Sequence, residues 1–267
     1  MRKLIAIGLS LVMVLSLTAC GSADKTAGKK SGKTFTVGFD AEYPPYGYMD
    51  AESGEYVGFD LELAEKVCEM EGWELVKKPI NWDTKDTELN SGSIDCIWNG
   101  FTINGREKDY QWSDAYINNT QVVVVSEKSG IKTLADLKDK TVGVQAASAA
   151  ESLFAKDGSQ EELGKTFKSL NPFSDYNTAF TELQSGSIDA LAIDVGVANY
   201  QLKNRGEGFV IVEETLNSEQ YGIGFKKGNK KLCDKVNEDV KKLHKDGVVE
   251  ELAKKYDIDP TMICIGE

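Results

Sequence analysis

TELNSGSID occupies residues 87–95 and TELQSGSID occupies residues 181–189, one nine-residue phrase met again 94 positions later with a single substitution. Each copy reads as the polar end of a helix, a Ser-Gly-Ser turn, and an Ile-Asp that opens a strand. The residues after the two copies are unlike. The first copy runs into CIWNGFTINGRE (96–107) and the second into ALAIDVG (190–196). The repeat therefore marks equivalent corners of two α/β units whose next residues do different things.

Reading outward, both units keep one plan. TFTVGFD (34–40) alternates and is rich in β-formers, so it is a strand. FDLELAEKVCEMEG (59–72) is an amphipathic helix, with Phe59, Leu63, Val67 and Met70 on one side and Glu62, Glu65, Lys66 and Glu69 on another. WELVKKPI (73–80) is a second strand, and IDCIWNGFTI (94–103) has the low charge of a buried parallel strand. In the second unit DKTVGVQ (139–145), TFKSL (166–170), IDALAIDVG (188–196) and FVIVEETL (209–216) are strands separated by helices. One of these helices begins at Ser148, a good N-cap, with Glu151 in the capping-box position. Strands alternating with helices imply right-handed βαβ units and parallel sheets. Two C-terminal helices carry the stripes Leu232, Val236, Val240, Leu243 and Val249, Leu252, Ala253, Tyr256, with Asp246 expected to cap the second.

The joins between the units are extended. A β-branched run spans 122–125, and SEQYGIGFKKG (218–228) starts the last section. Two extended crossings between two sheets make a hinge with a cleft between lobes, and ligands of open α/β sheets sit beyond the carboxyl ends of the strands. The expected division is 34–121 for the first part of lobe 1, 122–219 for lobe 2, and 220–267 for the rest of lobe 1.

Before the body, MRK precedes an apolar run of thirteen residues (4–16), too short to span a bilayer, and then LTAC (17–20). This is a secretory signal, 1–19. A cysteine at the cut resembles the bacterial lipoprotein signal, which implies cleavage before Cys20 and a diacylglyceryl thioether on it. Residues 20–33 hold no aromatic or large aliphatic side chain and read as a flexible tether. The chain's net charge of −12 argues against nucleic acid as a partner. Cys68 and Cys96 fall at core positions, while Cys233 and Cys264 are a candidate bridge tying down the end of the chain. His244 is the only histidine, so a histidine-based triad or metal site is hard to build, and no metal is expected.

Six ordered motifs, YPPYGY (43–48), GEYVGFDLELAEKV (54–67), LNSGSIDCIWNGFTINGRE (89–107), VGVQAASAAE (142–151), LQSGSIDALAID (183–194) and DGVVEELAKKY (246–256), resemble the bacterial extracellular solute-binding proteins of family 3, the polar amino-acid class that feeds ABC importers. The resemblance runs from about 34 to 259. It implies an α/β fold of the type II periplasmic-binding-protein kind, two lobes joined by two extended hinge crossings. It further implies a free L-amino acid as ligand, an ABC permease as partner, no cofactor, a monomer, and anchoring to the outer face of the cell membrane through the lipid.

A free amino acid brings a carboxylate and an ammonium close together, and burying both demands countercharge and hydrogen bonds. For the carboxylate the candidates are Arg106, whose planar guanidinium is a bidentate fork, Thr102, and the amides of Ser148 and Ala149 at a helix start. For the ammonium they are Asp194 and the carbonyl of Gly100, which stand five residues after Asp189 and Asp95 respectively. Asp194 could also cap the helix that follows it. The family usually sets its arginine five residues after the Thr/Ser; here Arg106 is four after Thr102, and Ala147 and Ala149 flank Ser148 where Gly and Ser/Thr are usual. The resemblance places Asp40 and Tyr43 in the side-chain pocket, with Phe101 and Trp82 as further aromatic candidates and Trp98 assigned to the core. Asp40 near Glu42 favours arginine, lysine or glutamine as ligand. Two alternatives stand beside this reading: cystine-type binding, and a cyclohexadienyl dehydratase on the same scaffold, for which Glu42 would be the general acid.

Overall fold

The computed structural model describes residues 32–266. The expected signal, most of the tether and the lipidation site Cys20 lie outside the described residues. The chain forms two lobes around two sheets. In the first sheet the strands run in the spatial order Glu74–Pro79, Thr34–Phe39, Cys96–Ile97, Gly224–Phe225, Gln111–Trp112. The first three are parallel and the last two join antiparallel. In the second the order is Ser169–Phe173, Thr141–Gln145, Ala190–Asp194, Ile117–Ser126, Phe209–Ile211, with Asn217–Tyr221 also pairing on Ile117–Ser126. Helices pack on these sheets by their apolar faces. In Phe59–Glu71, Phe59, Leu63 and Val67 are fully buried, as the 3.6-residue stripe requires.

The repeated phrase does the same work in each lobe. Gly92 and Gly186 end helices Lys85–Ser91 and Tyr176–Ser185 in the left-handed conformation, φ 79° and 78°, where a Cβ is disfavoured. Each following aspartate then clamps the neighbouring strand. The Thr36 amide donates to Asp95 Oδ2 at 2.7 Å and the Thr141 amide to Asp189 Oδ2 at 2.8 Å. The two aspartate amides return bonds to the carbonyls of the same two threonines. The repeat is thus a turn-and-clamp that sets where the next strand points.

Two strands connect the lobes, Ile117–Ser126 and Asn217–Tyr221, and they pair antiparallel in the register Asn119↔Glu219 and Gln121↔Asn217. The first crossing begins at the polar INNTQ, five residues ahead of the valine run.

Three local expectations are corrected. Asp246 ends helix Lys230–Lys245; the N-cap position of Val248–Lys255 is Gly247, φ 82°, without a side-chain cap. The low-charge 94–103 stretch contributes only the two-residue strand Cys96–Ile97, because the chain turns away at Gly100, φ 56°. The Cys233–Cys264 bridge is not formed. The Cys233 thiol instead points at lobe 1 and donates to the Trp112 carbonyl at 3.0 Å, while the Cys264 amide donates to Tyr116.

Candidate functional site

The carboxyl ends of the strands after the two turn-and-clamp units face each other across a cavity. Lobe 1 lines it with Tyr43, Trp82, Gly100, Thr102 and Arg106, and lobe 2 with Gln145, Ser148, Ala149 and Asp194. All but Asp40 and Phe101 of the sequence candidates for ligand contact therefore meet in one wall. Asp40 stands one hydrogen bond behind it, through Gln145. Phe101 is fully buried in the lobe 1 core, its ring against Trp82, Tyr110 and Trp112. It supports the Arg106 guanidinium, 5.3 Å above its ring, instead of facing the cavity. Trp98 is core, as expected.

Asp194 closes strand Ala190–Asp194 and precedes helix Val195–Arg205. It occupies the N-cap position but makes no side-chain cap bond. Its carboxylate turns into the cleft instead. Oδ1 accepts from Tyr221 Oη at 2.6 Å, Gln121 Nε2 at 2.7 Å and Asn119 Nδ2 at 2.8 Å, and Oδ2 accepts a long 3.4 Å bond from Tyr176, with the Tyr43 hydroxyl also acting on the carboxyl. Burial raises the pKa of this carboxyl, against the pull of its hydrogen-bond donors. Sequence reasoning missed its neighbour Glu219, on the second crossing strand. Glu219 is 4% exposed and accepts at Oε1 from Gln121, Asn119 and Thr102. Burial, and then the charge of Asp194, push its pKa up to about 7. Tyr176 and Tyr221, also missed, complete the aromatic walls of this end. Gly100 must lack a side chain here: a Cβ would come within 2.9 Å of the Tyr43 ring and 3.1 Å of the Tyr221 ring.

At the opposite end Arg106 donates to the carbonyls of Thr102 and, across the cleft, Ala147, both at 3.3 Å. These long bonds use two of its five N–H groups, so the shortened spacing from Thr102 still delivers the guanidinium to the cavity. Lys85 is a second cation missed in the sequence. It is 4% exposed, and its ammonium reaches the carbonyls of Trp82 and Ala147, each at 3.2 Å. Burial, and then the Arg106 charge, lower its pKa to about 8. Ser148 caps helix Ala149–Phe154 by accepting from the Glu151 amide at 3.1 Å, and Glu151 returns to the Ala147 amide, one residue earlier than in the usual box. The Ser148 amide bonds the Gln145 carbonyl, so Ala149 carries the first helical amide at the wall.

At the side-chain end Asp40 is 6% exposed. Its Oδ2 accepts from Gln145 Nε2 at 2.5 Å and its Oδ1 from the Glu42 amide at 2.9 Å. Burial, opposed by these bonds, raises its pKa to about 6. Tyr43 lies between Tyr46 and Tyr176, ring centroids 5.8 and 5.9 Å away. The cavity thus carries the Arg106 guanidinium and the Asp194 carboxylate in its wall, with the Tyr43 and Trp82 rings beside them, while Lys85 and Asp40 do not line it. Among the described residues no cluster of His, Cys, Asp and Glu is suited to a metal ion.

Two α/β lobes on paired crossing strands, with a cavity between them, define the type II periplasmic-binding-protein fold. The chain belongs to the bacterial extracellular solute-binding proteins, family 3, whose sequence profile matches residues 35–258. It is 33% identical over 260 residues to the arginine-binding extracellular protein ArtP of Bacillus subtilis (strain 168), covering 96% of this chain and 98% of that one. It is 30% identical over 230 residues to the L-cystine-binding protein TcyJ of Escherichia coli (strain K12), covering 85% and 84%. Among solved structures, an ABC uptake transporter substrate-binding protein from Streptococcus pneumoniae with bound histidine is similar at TM-score 0.78 and 35% identity, covering 84% of this chain and 92% of that one. Among the described residues no helix is long and apolar enough to cross a membrane.

Proposed function

We propose that this chain is the substrate-binding component of an ABC importer, that it captures a cationic L-amino acid, arginine foremost, and that it delivers it to a membrane permease. In this reading it is a monomer, held outside the cell membrane by a lipid on Cys20, with lobe 2 formed by 122–219. Arg106 and the Ala149 amide take the ligand carboxylate, Asp194 and the Gly100 carbonyl take the ammonium, and the ligand side chain runs past Tyr43 and Trp82 towards Asp40. The observation that carries the reading is the placement of the buried carboxylates. Asp194 and Arg106 both line the cavity, and Asp40 stands behind its wall, one hydrogen bond away through Gln145. A ligand with two positive groups and one negative group matches that set. Glutamine, whose amide could use the Asp40–Gln145 pair, matches it less well.

Closure results from the division of labour. Arg106 and Gly100 sit on lobe 1 and Asp194 and Ala149 on lobe 2, so only the closed form engages both poles, and the ligand shifts the population towards it. A thermal-shift screen against the twenty amino acids, followed by calorimetric titration, tests the assignment. The largest shift is expected for arginine, then lysine or histidine; a largest shift with glutamate or aspartate, or none at all, overturns it. For the dehydratase alternative the nominated acid is poorly placed. Glu42 is exposed, bonds Asn177, and does not line the cavity. Absence of prephenate turnover is the corresponding expectation.

A further inference from the structure

Asn119 and Gln121 project from one face of the first crossing strand, and each side-chain amide nitrogen donates to two carboxylate oxygens at once, Asp194 Oδ1 and Glu219 Oε1, over 2.7 to 2.9 Å. Turning either amide round would set a carbonyl oxygen against those two oxygens, so while either carboxyl is ionised the amide nitrogens face them. Glu219 Oε1 therefore acts as an acceptor in both contacts. A proton carried by Glu219 belongs on its other oxygen. The third contact to Oε1, from Thr102 Oγ1 at 2.9 Å, must then be donated by the hydroxyl. A threonine hydroxyl has one proton and two lone pairs.

We propose that Glu219, which does not line the cavity, is a positioning residue for ligand amine recognition: by taking the Thr102 proton it leaves that hydroxyl only lone pairs to offer the ligand. The bridging amides complete the arrangement. With Tyr221 they saturate Asp194 Oδ1, so a ligand bond falls to Oδ2, which takes a long contact from Tyr176. Asp194 Oδ2, Thr102 Oγ1 and the Gly100 carbonyl then make three acceptors for the three N–H groups of an ammonium. A ligand lacking the amine leaves all three unanswered. The sequence expectation sets Thr102 against the ligand carboxylate; in this arrangement its hydroxyl faces the ammonium instead.

The proposal rests on the amino-acid reading above, and the test separates the two. L-arginine and 5-guanidinopentanoic acid, which is arginine without its α-amine, are titrated calorimetrically into the wild-type protein and into Glu219→Leu, Glu219→Gln and Thr102→Val. Glu219→Leu is expected to weaken arginine about tenfold or more while leaving the des-amino acid within about twofold. Glu219→Gln keeps an acceptor oxygen and should restore arginine to within about threefold of wild type. Thr102→Val should repeat the selective loss, and serves alone if the leucine variant does not fold. Arginine binding unchanged in Glu219→Leu, or in Thr102→Val where that serves alone, overturns the proposal, as does a parallel loss of both ligands, which would make the role merely structural. Wild-type protein that binds no amino acid removes the functional reading itself, and this proposal with it.

Discussion

Gln145 and Asp40 meet across the cleft, Nε2 to Oδ2 at 2.5 Å, from equivalent places: Gln145 closes the first strand of lobe 2 and Asp40 follows the first strand of lobe 1. The bond ties the lobes at the end where the ligand side chain is expected. Asp40→Asn keeps the shape and removes the charge. It should weaken arginine and lysine about tenfold or more while glutamine changes by less than about threefold, since a charge-assisted bond contributes about twice a neutral one. Calorimetric titration with the three amino acids decides it, and equal losses for all three would refute a charge-reading role.

The buried carboxyls give the stability a pH slope. Asp40 holds its proton to about pH 6 and Asp60 and Glu219 to about pH 7, all above the ordinary carboxylate range. Between the ordinary values and these, the folded chain binds more protons than the unfolded one, so stability falls as pH rises through that window. The ligand-free melting temperature should therefore carry a downward contribution between about pH 4 and 7. A cationic ligand releases protons from Asp40 and from the Asp194–Glu219 pair, so its stabilising shift should grow over the same range. A ligand-induced shift that is flat across a pH series would count against charge matching.

Gly100 is the position least able to change. Its φ of 56° and the nearby Tyr43 and Tyr221 rings both exclude a side chain. Its amide also donates to Asp60 Oδ2 at 2.6 Å, the oxygen that accepts from Tyr116 Oη at 2.8 Å just ahead of the first crossing strand. Gly100→Ala should cost about 1–3 kcal/mol in urea unfolding and abolish detectable amino-acid binding. Near wild-type affinity in a folded variant would show that the rings yield.

The turn-and-clamp units make the opposite prediction. Asp95→Ala should cost about 1 kcal/mol of stability, and Asp189→Ala less, because Asp189 is exposed and Asp95 only partly so. Neither aspartate reaches the cavity, so affinity should stay within about twofold. A large change of affinity in either variant would mean that the clamp aims the binding residues more tightly than the geometry indicates.

The lobes were legible in the sequence because the repeat, the 3.6-residue stripes and the glycine turns are local patterns, each set by neighbours in the chain. Most of the wall was legible for the same reason: Gly100, Thr102, Arg106 and Asp194 stand at short, fixed distances from the two clamps. Several of the residues that escaped are carried by the crossings. Asn119, Gln121 and Glu219 look like the surface of an ordinary polar strand, since asparagine and glutamate are depleted from buried strands. Only the pairing of two segments about a hundred residues apart buries them against Asp194. Gln145 was hidden similarly, its partner Asp40 lying in the other lobe. Phe101 misled because an aromatic next to Gly100 and Thr102 was read by proximity, whereas the turn at Gly100 sends its ring back into the core.

The two crossing strands are hydrogen-bonded to each other over five consecutive residue pairs. They form one ribbon, as a leaf spring is one part although made of two blades. Sliding of one lobe past the other would shear that ladder, while bending and twisting leave it whole. The opening of the cleft is thereby confined to few directions, and the side chains of Asn119 and Gln121 are riveted to Glu219 across the same ribbon. Asp194 is bonded to the same two side chains, and the distance between any two labels on opposite lobes should follow a single opening coordinate.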